Sequence, residues 1–190
     1  LKFLLAAESG GSPASTHIAE ADTPFDIYQK VCNDIYLSLE KTKESLKEDL
    51  LKQAAEKLCV ADKIVIFGLG NSSAIALDAS HKFMRAGLNA IAYTDNHMQA
   101  IAASHLKEND IAIGISHSGS SKDIVEALKI AKEHNATTIA ITNSGKSHIL
   151  KQSDIVLATA SEETKYNVLA LNSRIAQLAI IDTLYFYVVY

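Results

Sequence analysis

The sequence predicts an α/β fold: a three-layer α/β/α sandwich on a five-stranded parallel sheet, preceded by N-terminal helices. Two observations carry this prediction. Five short β-branched apolar runs, Lys63–Phe67, Asn89–Tyr93, Ile111–Ile115, Thr137–Ile141 and Asp154–Leu157, alternate with helical patterns, the signature of parallel strands joined by helices. The runs are continuously apolar rather than alternating, as strands covered on both faces are. Their crossovers are expected to be right-handed.

The elements follow in order. Leu1–Ala7 is too short an apolar run for a secretory h-region of about 7–15 residues, so it reads as the tail of an upstream helix. Glu8–Ala21, with Gly10, Gly11, Ser12 and Pro13, reads as a linker. Asp22-Thr23-Pro24 is a helix-start signal. From Phe25 to Cys59 apolar residues recur at helical spacing (Ile27, Val31, Ile35, Leu39, then Leu46, Leu50, Ala54, Leu58), predicting two helices with a break near Thr42–Leu46. Between the strands lie helical patterns at Ser73–Ala86, Met98–His105, Lys122–His134 and Ser147–Gln152. A final helix is expected from about Thr164 to the end. Leu178–Tyr190 is densely apolar and stops without a breaker, so the natural chain is expected to continue.

Composition narrows the function classes. Of 190 residues, 48% are hydrophobic and 21% charged, ordinary globular values that exclude a wholly disordered chain. No charge-free run of 18 apolar residues exists, which excludes a spanning helix. The two cysteines, Cys32 and Cys59, form no CxxC and are too few for a disulfide framework, so a cytoplasmic location is expected. The net charge of −4 sits in residues 1–62, with seven Lys and eleven Asp or Glu; residues 63–190 hold eleven of each sign. No basic stripe exists for a nucleic-acid backbone.

Chemistry concentrates in two loops after strands. Ile64–Phe67 leads into Gly68-Leu69-Gly70-Asn71-Ser72-Ser73, and Ile111–Ile115 into Ser116-His117-Ser118-Gly119-Ser120-Ser121. Glycine permits close backbone approach, a helix N-terminus offers unpaired N–H groups, and serine adds hydroxyl donors. Together they suit a phosphate monoester. Helix caps and turns explain one such loop equally well; two at carboxyl ends of strands, where open α/β sheets bind ligands, favour phosphate. Neither loop holds a lysine, so a triphosphate P-loop is excluded. Gly68-x-Gly70 with Asp95 partly imitates a dinucleotide fingerprint, which leaves the serine loop unexplained.

The seven histidines form no HxH or HxxxH pair, so no metal site is expected. His134 and His148 are expected on the surface at helix ends. His97 lies on the ligand edge after the second strand, where a ligand contact competes with a neighbour's capping role. Glu162 and Glu163, between the last strand and last helix, suit a base for proton transfer or first-turn acids facing a helix dipole. Tyr185, Phe186, Tyr187 and Tyr190 are too dense for one exposed face and point to core packing or a subunit interface.

Ser116-x-Ser118-Gly119-x-Ser121 resembles the SxSGx[ST] phosphate loop of sugar isomerase (SIS) domains, and Gly68-x-Gly70-x-Ser72 resembles their first loop. Asn172–Asp182 resembles the SRxAQLxxID helix of RpiR-type transcriptional regulators, which join an N-terminal helix-turn-helix domain to a C-terminal SIS domain. The resemblance implies a flavodoxin-like strand order. It implies residues 1–21 as the end of an upstream domain plus linker and 22–190 as the sugar-phosphate domain. It implies that the hydroxyls of Ser72, Ser116, Ser118 and Ser121 hold a phosphate, with Gly70, Asn71, Ser73, His117 and Gly119 contributing amides or nearby side chains. His97, Glu162 and Glu163 stand as possible sugar contacts. The implied effector is a sugar phosphate, with N-acetylhexosamine 6-phosphates as family candidates, and the implied assembly a homo-dimer or tetramer. DNA would be reached only through the upstream domain, with no cofactor and no membrane. The alternative is an aldose–ketose isomerase using Glu162, Glu163 or His97 as base.

Overall fold

The computed structural model describes residues 18–161 and 171–190. The elements run α1 (Pro24–Ser45), α2 (Glu48–Cys59), β1 (Lys63–Gly68), α3 (Asn71–Arg85), β2 (Ala90–Tyr93), α4 (Asn96–Ser104), β3 (Asp110–Ser116), α5 (Lys122–Glu133), β4 (Thr137–Asn143), a 3₁₀ turn (His148–Gln152), β5 (Ile155–Thr159) and α6 (Leu171–Val189). The five strands pair in parallel in the order β2-β1-β3-β4-β5, the flavodoxin-like order.

Each expected strand is present, with shifted ends. β3 and β4 outrun their apolar cores because Ser116 pairs with Thr142 and extends the ladder into polar sequence. α3 and α4 each begin two residues earlier than the apolar periodicity suggests, at Asn71 and Asn96. Ser147–Gln152 is not an α-helix; only a five-residue 3₁₀ turn forms there. The expected start of the last helix lies outside the described residues. The break between the N-terminal helices falls at Leu46, whose backbone is extended (φ −74°, ψ 124°). Thr23 caps α1 reciprocally with Asp26: Asp26 N–H donates to Thr23 Oγ1 (3.2 Å) and Thr23 N–H to Asp26 Oδ2 (2.9 Å), satisfying two donors at the helix start.

The two sheet faces differ in side-chain size. Ile64, Ile66, Ile111, Ile113, Ile115, Ile139 and Ile141 cover one face, against α2, α3 and α6. The other carries Val65 and Phe67 on β1 but small residues in the middle of β3 and β4, Ala112, Gly114 and Ala140, the last between buried Thr138 and Thr142, against α4, α5 and the 3₁₀ turn. Gly114 permits a close approach: a Cβ there would lie 2.6 Å from Leu128 Cδ1 and 3.1 Å from Ile124 Cγ2. Helix α5 therefore lies tight on the middle of the sheet, which sets where its N-terminus ends.

Helix α1 packs on α6 and β5, yet its buried side chains are hydroxyls, Ser38 and Thr42. Thr42 Oγ1 accepts from Ala160 N–H (3.0 Å), and Ser38 Oγ donates to the Ala160 carbonyl (3.5 Å). Much of the rest of α1 is exposed and apolar, including Phe25, Tyr28, Tyr36 and Leu37. On α6, Tyr185 packs on the core, whereas Phe186, Tyr187 and Tyr190 are exposed. Lys82 of α3 joins Asp78 (2.7 Å) and Asp182 of α6. At the amino end of β5, Asp154 accepts from Thr138 N–H (3.0 Å), Thr138 Oγ1 (2.8 Å) and Lys132 Nζ (2.7 Å). Burial raises its carboxyl pKa, but these bonds outweigh burial and hold it below the ordinary 3.8.

Two stability outcomes follow. Thr42→Val leaves the Ala160 N–H without its acceptor, a loss of about 1–3 kcal/mol and a Tm lower by roughly 2–12 °C at this size; Thr42→Ser stays close to wild type. Equal melting of Thr42→Val and wild type would remove this tie from the account. The Asp154 contribution is present above the unfolded carboxyl pKa and is lost as pH falls through the lower folded value. Asp154→Asn is therefore less stable than wild type at pH 7, and chemical unfolding at pH 3 shows the gap narrowing.

Candidate functional site

The β1 and β3 strands are neighbours, but the chain leaves β1 toward β2 on one side and returns to β3 on the other. Loops diverge at such a reversal and open a crevice at the carboxyl ends of the strands. Both loops singled out in the sequence flank it.

In the first loop, Gly70 takes φ +55° ahead of α3. Ser72 and Ser73 N–H donate to the Leu69 and Gly70 carbonyls (3.0 and 3.1 Å). Ser73 Oγ also turns back to the Gly70 carbonyl (2.6 Å), so that hydroxyl serves the turn itself. Ser72 is half-buried, and Asn71 is exposed beside it.

The second loop is fastened to β4 and its exit. The His117 carbonyl accepts from Asn143 N–H (3.0 Å) and Thr142 Oγ1 (3.4 Å). The Gly119 N–H donates to the Ser116 carbonyl (3.2 Å), and the Gly119 carbonyl accepts from Ile149 N–H (3.0 Å). Gly119 sits at φ +61°, and a Cβ there would run into Ser147 Oγ and lie 2.8 Å from Thr142 Oγ1, so both conformation and space demand glycine. Ser116 is buried at the strand end, His117 half-buried and Ser118 exposed. Ser118 Oγ accepts from Ser120 N–H (3.3 Å). Ser121 is the N-cap of α5 without a side-chain cap bond.

A third loop, after β4, borders the second and carries no sequence motif. Asn143-Ser144-Gly145-Lys146-Ser147, with His117 and Ser118, lines a pocket of about 210 Å³. The Asn143 side chain exchanges two bonds with the Ser161 backbone: Nδ2 donates to its carbonyl (3.1 Å), and Oδ1 accepts its N–H (3.0 Å). Ser144 N–H donates to the Thr159 carbonyl (2.7 Å). Ser147 Oγ is buried without a hydrogen-bond partner among the described residues. One available signal was its composition: small and polar residues directly after an apolar strand, as in the first two loops.

His97 lies exposed in the first turn of α4, at the carboxyl end of the edge strand β2. Its neighbours do cap: Asp95 Oδ1 accepts from Met98 N–H (3.0 Å) and Asn96 Oδ1 from His97 N–H (3.0 Å). Buried Gln99 donates to the Gly68 (3.4 Å) and Tyr93 (2.8 Å) carbonyls, holding the ends of β1 and β2 together. Glu162 and Glu163 lie outside the described residues. His134 and His148 are exposed. Among the described residues, no group of His, Cys, Asp and Glu can hold a metal ion, and no helix is long and apolar enough to cross a membrane. The pocket is lined by hydroxyls, amides, His117 and Lys146, an arrangement suited to gripping an anion.

Residues 57–187 match the SIS domain family model. An uncharacterized HTH-type transcriptional regulator of Caldanaerobacter subterraneus is 42% identical over 168 residues, covering 88% of this chain and 60% of that protein. The HTH-type transcriptional regulator RpiR of Escherichia coli K12 is 31% identical over 170 residues, covering 90% of this chain and 57% of that one. The chain thus spans about three fifths of the length of these relatives. The Vibrio vulnificus NanR protein complexed with ManNAc-6P superposes with a TM-score of 0.81 at 26% identity, over 86% of this chain and 62% of that one. With its five-stranded parallel sheet in the order β2-β1-β3-β4-β5, the chain belongs to the SIS domain family and resembles the SIS domains of RpiR-type transcriptional regulators.

Proposed function

We propose that this chain is the effector-sensing domain of a transcriptional regulator and binds a phosphosugar at the carboxyl edge of its sheet. The observation that carries this reading is the placement of three Ser/Gly loops at the carboxyl ends of the neighbouring strands β1, β3 and β4, the last two tied together at His117 and Asn143 around one pocket. The phosphate lies on Ser72, Ser116, Ser118 and Ser121, with Gly70, Asn71, Ser73, His117 and Gly119 around it contributing through backbone amides or nearby side chains, although the Ser73 and Gly119 N–H groups already serve their own turns. Charge-assisted hydrogen bonds of this kind are among the stronger ones in proteins. His97, Glu162 and Glu163 contact the sugar. The ManNAc-6P held by the Vibrio NanR protein points to N-acetylhexosamine 6-phosphates as the first class to try.

Sensing requires that the effector bind two states of the protein with different affinity. Residues 1–21 are the end of an upstream DNA-binding domain and its linker, and DNA is reached only through that domain. The exposed aromatic side chains of α1 and α6 support self-association as a dimer or tetramer in the cytoplasm. The chain works without a cofactor and without turnover.

The test is thermal unfolding with N-acetylmannosamine 6-phosphate, N-acetylglucosamine 6-phosphate, their parent sugars and NAD. A ligand at 100 times its Kd stabilises by about 2.7 kcal/mol, a rise of roughly 5–10 °C at this size. A rise with a 6-phosphate and none with its parent sugar is expected. Ser118→Ala removes a charge-assisted bond and weakens binding roughly ten- to hundredfold. A rise with NAD alone, no rise with any phosphosugar, or isomerisation of the bound sugar would each overturn the sensor reading.

A further inference from the structure

We infer that Lys146 reads the charge of the ligand's anionic group, making the site selective for a dianionic phosphate ester over a singly charged ester of the same shape. This rests on the phosphosugar reading above. The hydroxyls and amides of the first two loops are neutral donors, and by themselves they suit phosphate and sulfate esters alike. A phosphate monoester carries about −1.5 to −2 charges at pH 7, with a second pKa near 6; a sulfate ester carries one. A formal positive charge beside the site favours the dianion over the monoanion, because Coulomb attraction scales with ligand charge.

Lys146 supplies it. No aspartate or glutamate lines the pocket among the described residues, and Lys146 is its one lysine or arginine. Its ammonium makes no ion pair with any described residue, and its side chain is exposed. The backbone on either side is held. Asn143 is clamped to Ser161 and Ser144 to Thr159, while Ser147 is seated against Gly119. The lysine therefore projects from a braced turn, and its flexible four-carbon stem carries a compact charge with three donors to the edge of the serine loop, where Ser118 lines the same pocket.

The experiment is calorimetric titration with N-acetylmannosamine 6-phosphate and N-acetylmannosamine 6-sulfate, on wild type, Lys146→Gln, Lys146→Arg and Ser118→Ala. Wild type prefers the phosphate. Lys146→Gln weakens phosphate binding roughly two- to fivefold, as removal of an exposed ion pair does, and leaves sulfate binding less changed. Lys146→Arg keeps the preference. Unaltered melting of ligand-free Lys146→Gln establishes that the turn is intact. Equal weakening for both esters, or an unchanged phosphate affinity beside a weakened Ser118→Ala, overturns the role of Lys146 and leaves the phosphosugar reading standing. No binding by wild type overturns both.

Discussion

The close contact between α5 and the centre of the sheet is the constraint on which the site depends. Along β3, the side chains facing α5 shrink to Ala112 and Gly114, while Ile111, Ile113 and Ile115 fill the opposite face. With no Cβ at Gly114, Leu128 and Ile124 settle against the strand backbone. The helix axis is thereby drawn toward the sheet, and its first residues after Ser121 come down over the end of β3. A larger residue at 114 would push α5 outward and carry the serine loop with it. Packing in the middle of the domain so decides the placement of hydroxyls at its edge.

The loops are also joined to one another. His117 is held by Asn143 and Thr142, Asn143 by Ser161, and Ala160 beside it by Thr42 and Ser38 of α1. A continuous run of hydrogen-bonded groups therefore extends from the serine loop across the ends of β4 and β5 to the N-terminal helix. It explains why α1 buries hydroxyls on a helix whose aromatic residues stay exposed. The backbone at the end of β5 has left the ladder, and its N–H and carbonyl need partners that apolar side chains do not offer.

Much of this was legible in the residues. Continuous β-branched runs announced strands covered on both faces, and Gly68-x-Gly70 and Ser116–Ser121 announced anion-suited turns because glycine and serine act locally. Thr23-Pro24 marked the start of α1 for the same reason. The third loop was not legible in that way. Asn143–Ser147 carries no motif, and its place beside Ser118 follows from β4 lying next to β3, a non-local fact. Nor does the sequence distinguish the 3₁₀ turn at His148–Gln152 from an α-helix, because apolar spacing over so few residues fits both.

The class of fold, the strands and the Ser/Gly composition of the first two loops can be read from short stretches of chain, since periodicity, backbone freedom and hydroxyl content are local properties. It took the packed fold to bring the loop after β4 into one pocket with His117 and Ser118, to turn the Ser73 hydroxyl back on its own helix, and to stand Lys146 beside the serine loop. Those outcomes depend on strand order and on how closely α5 meets Gly114, and both arise from contacts between residues far apart in the chain.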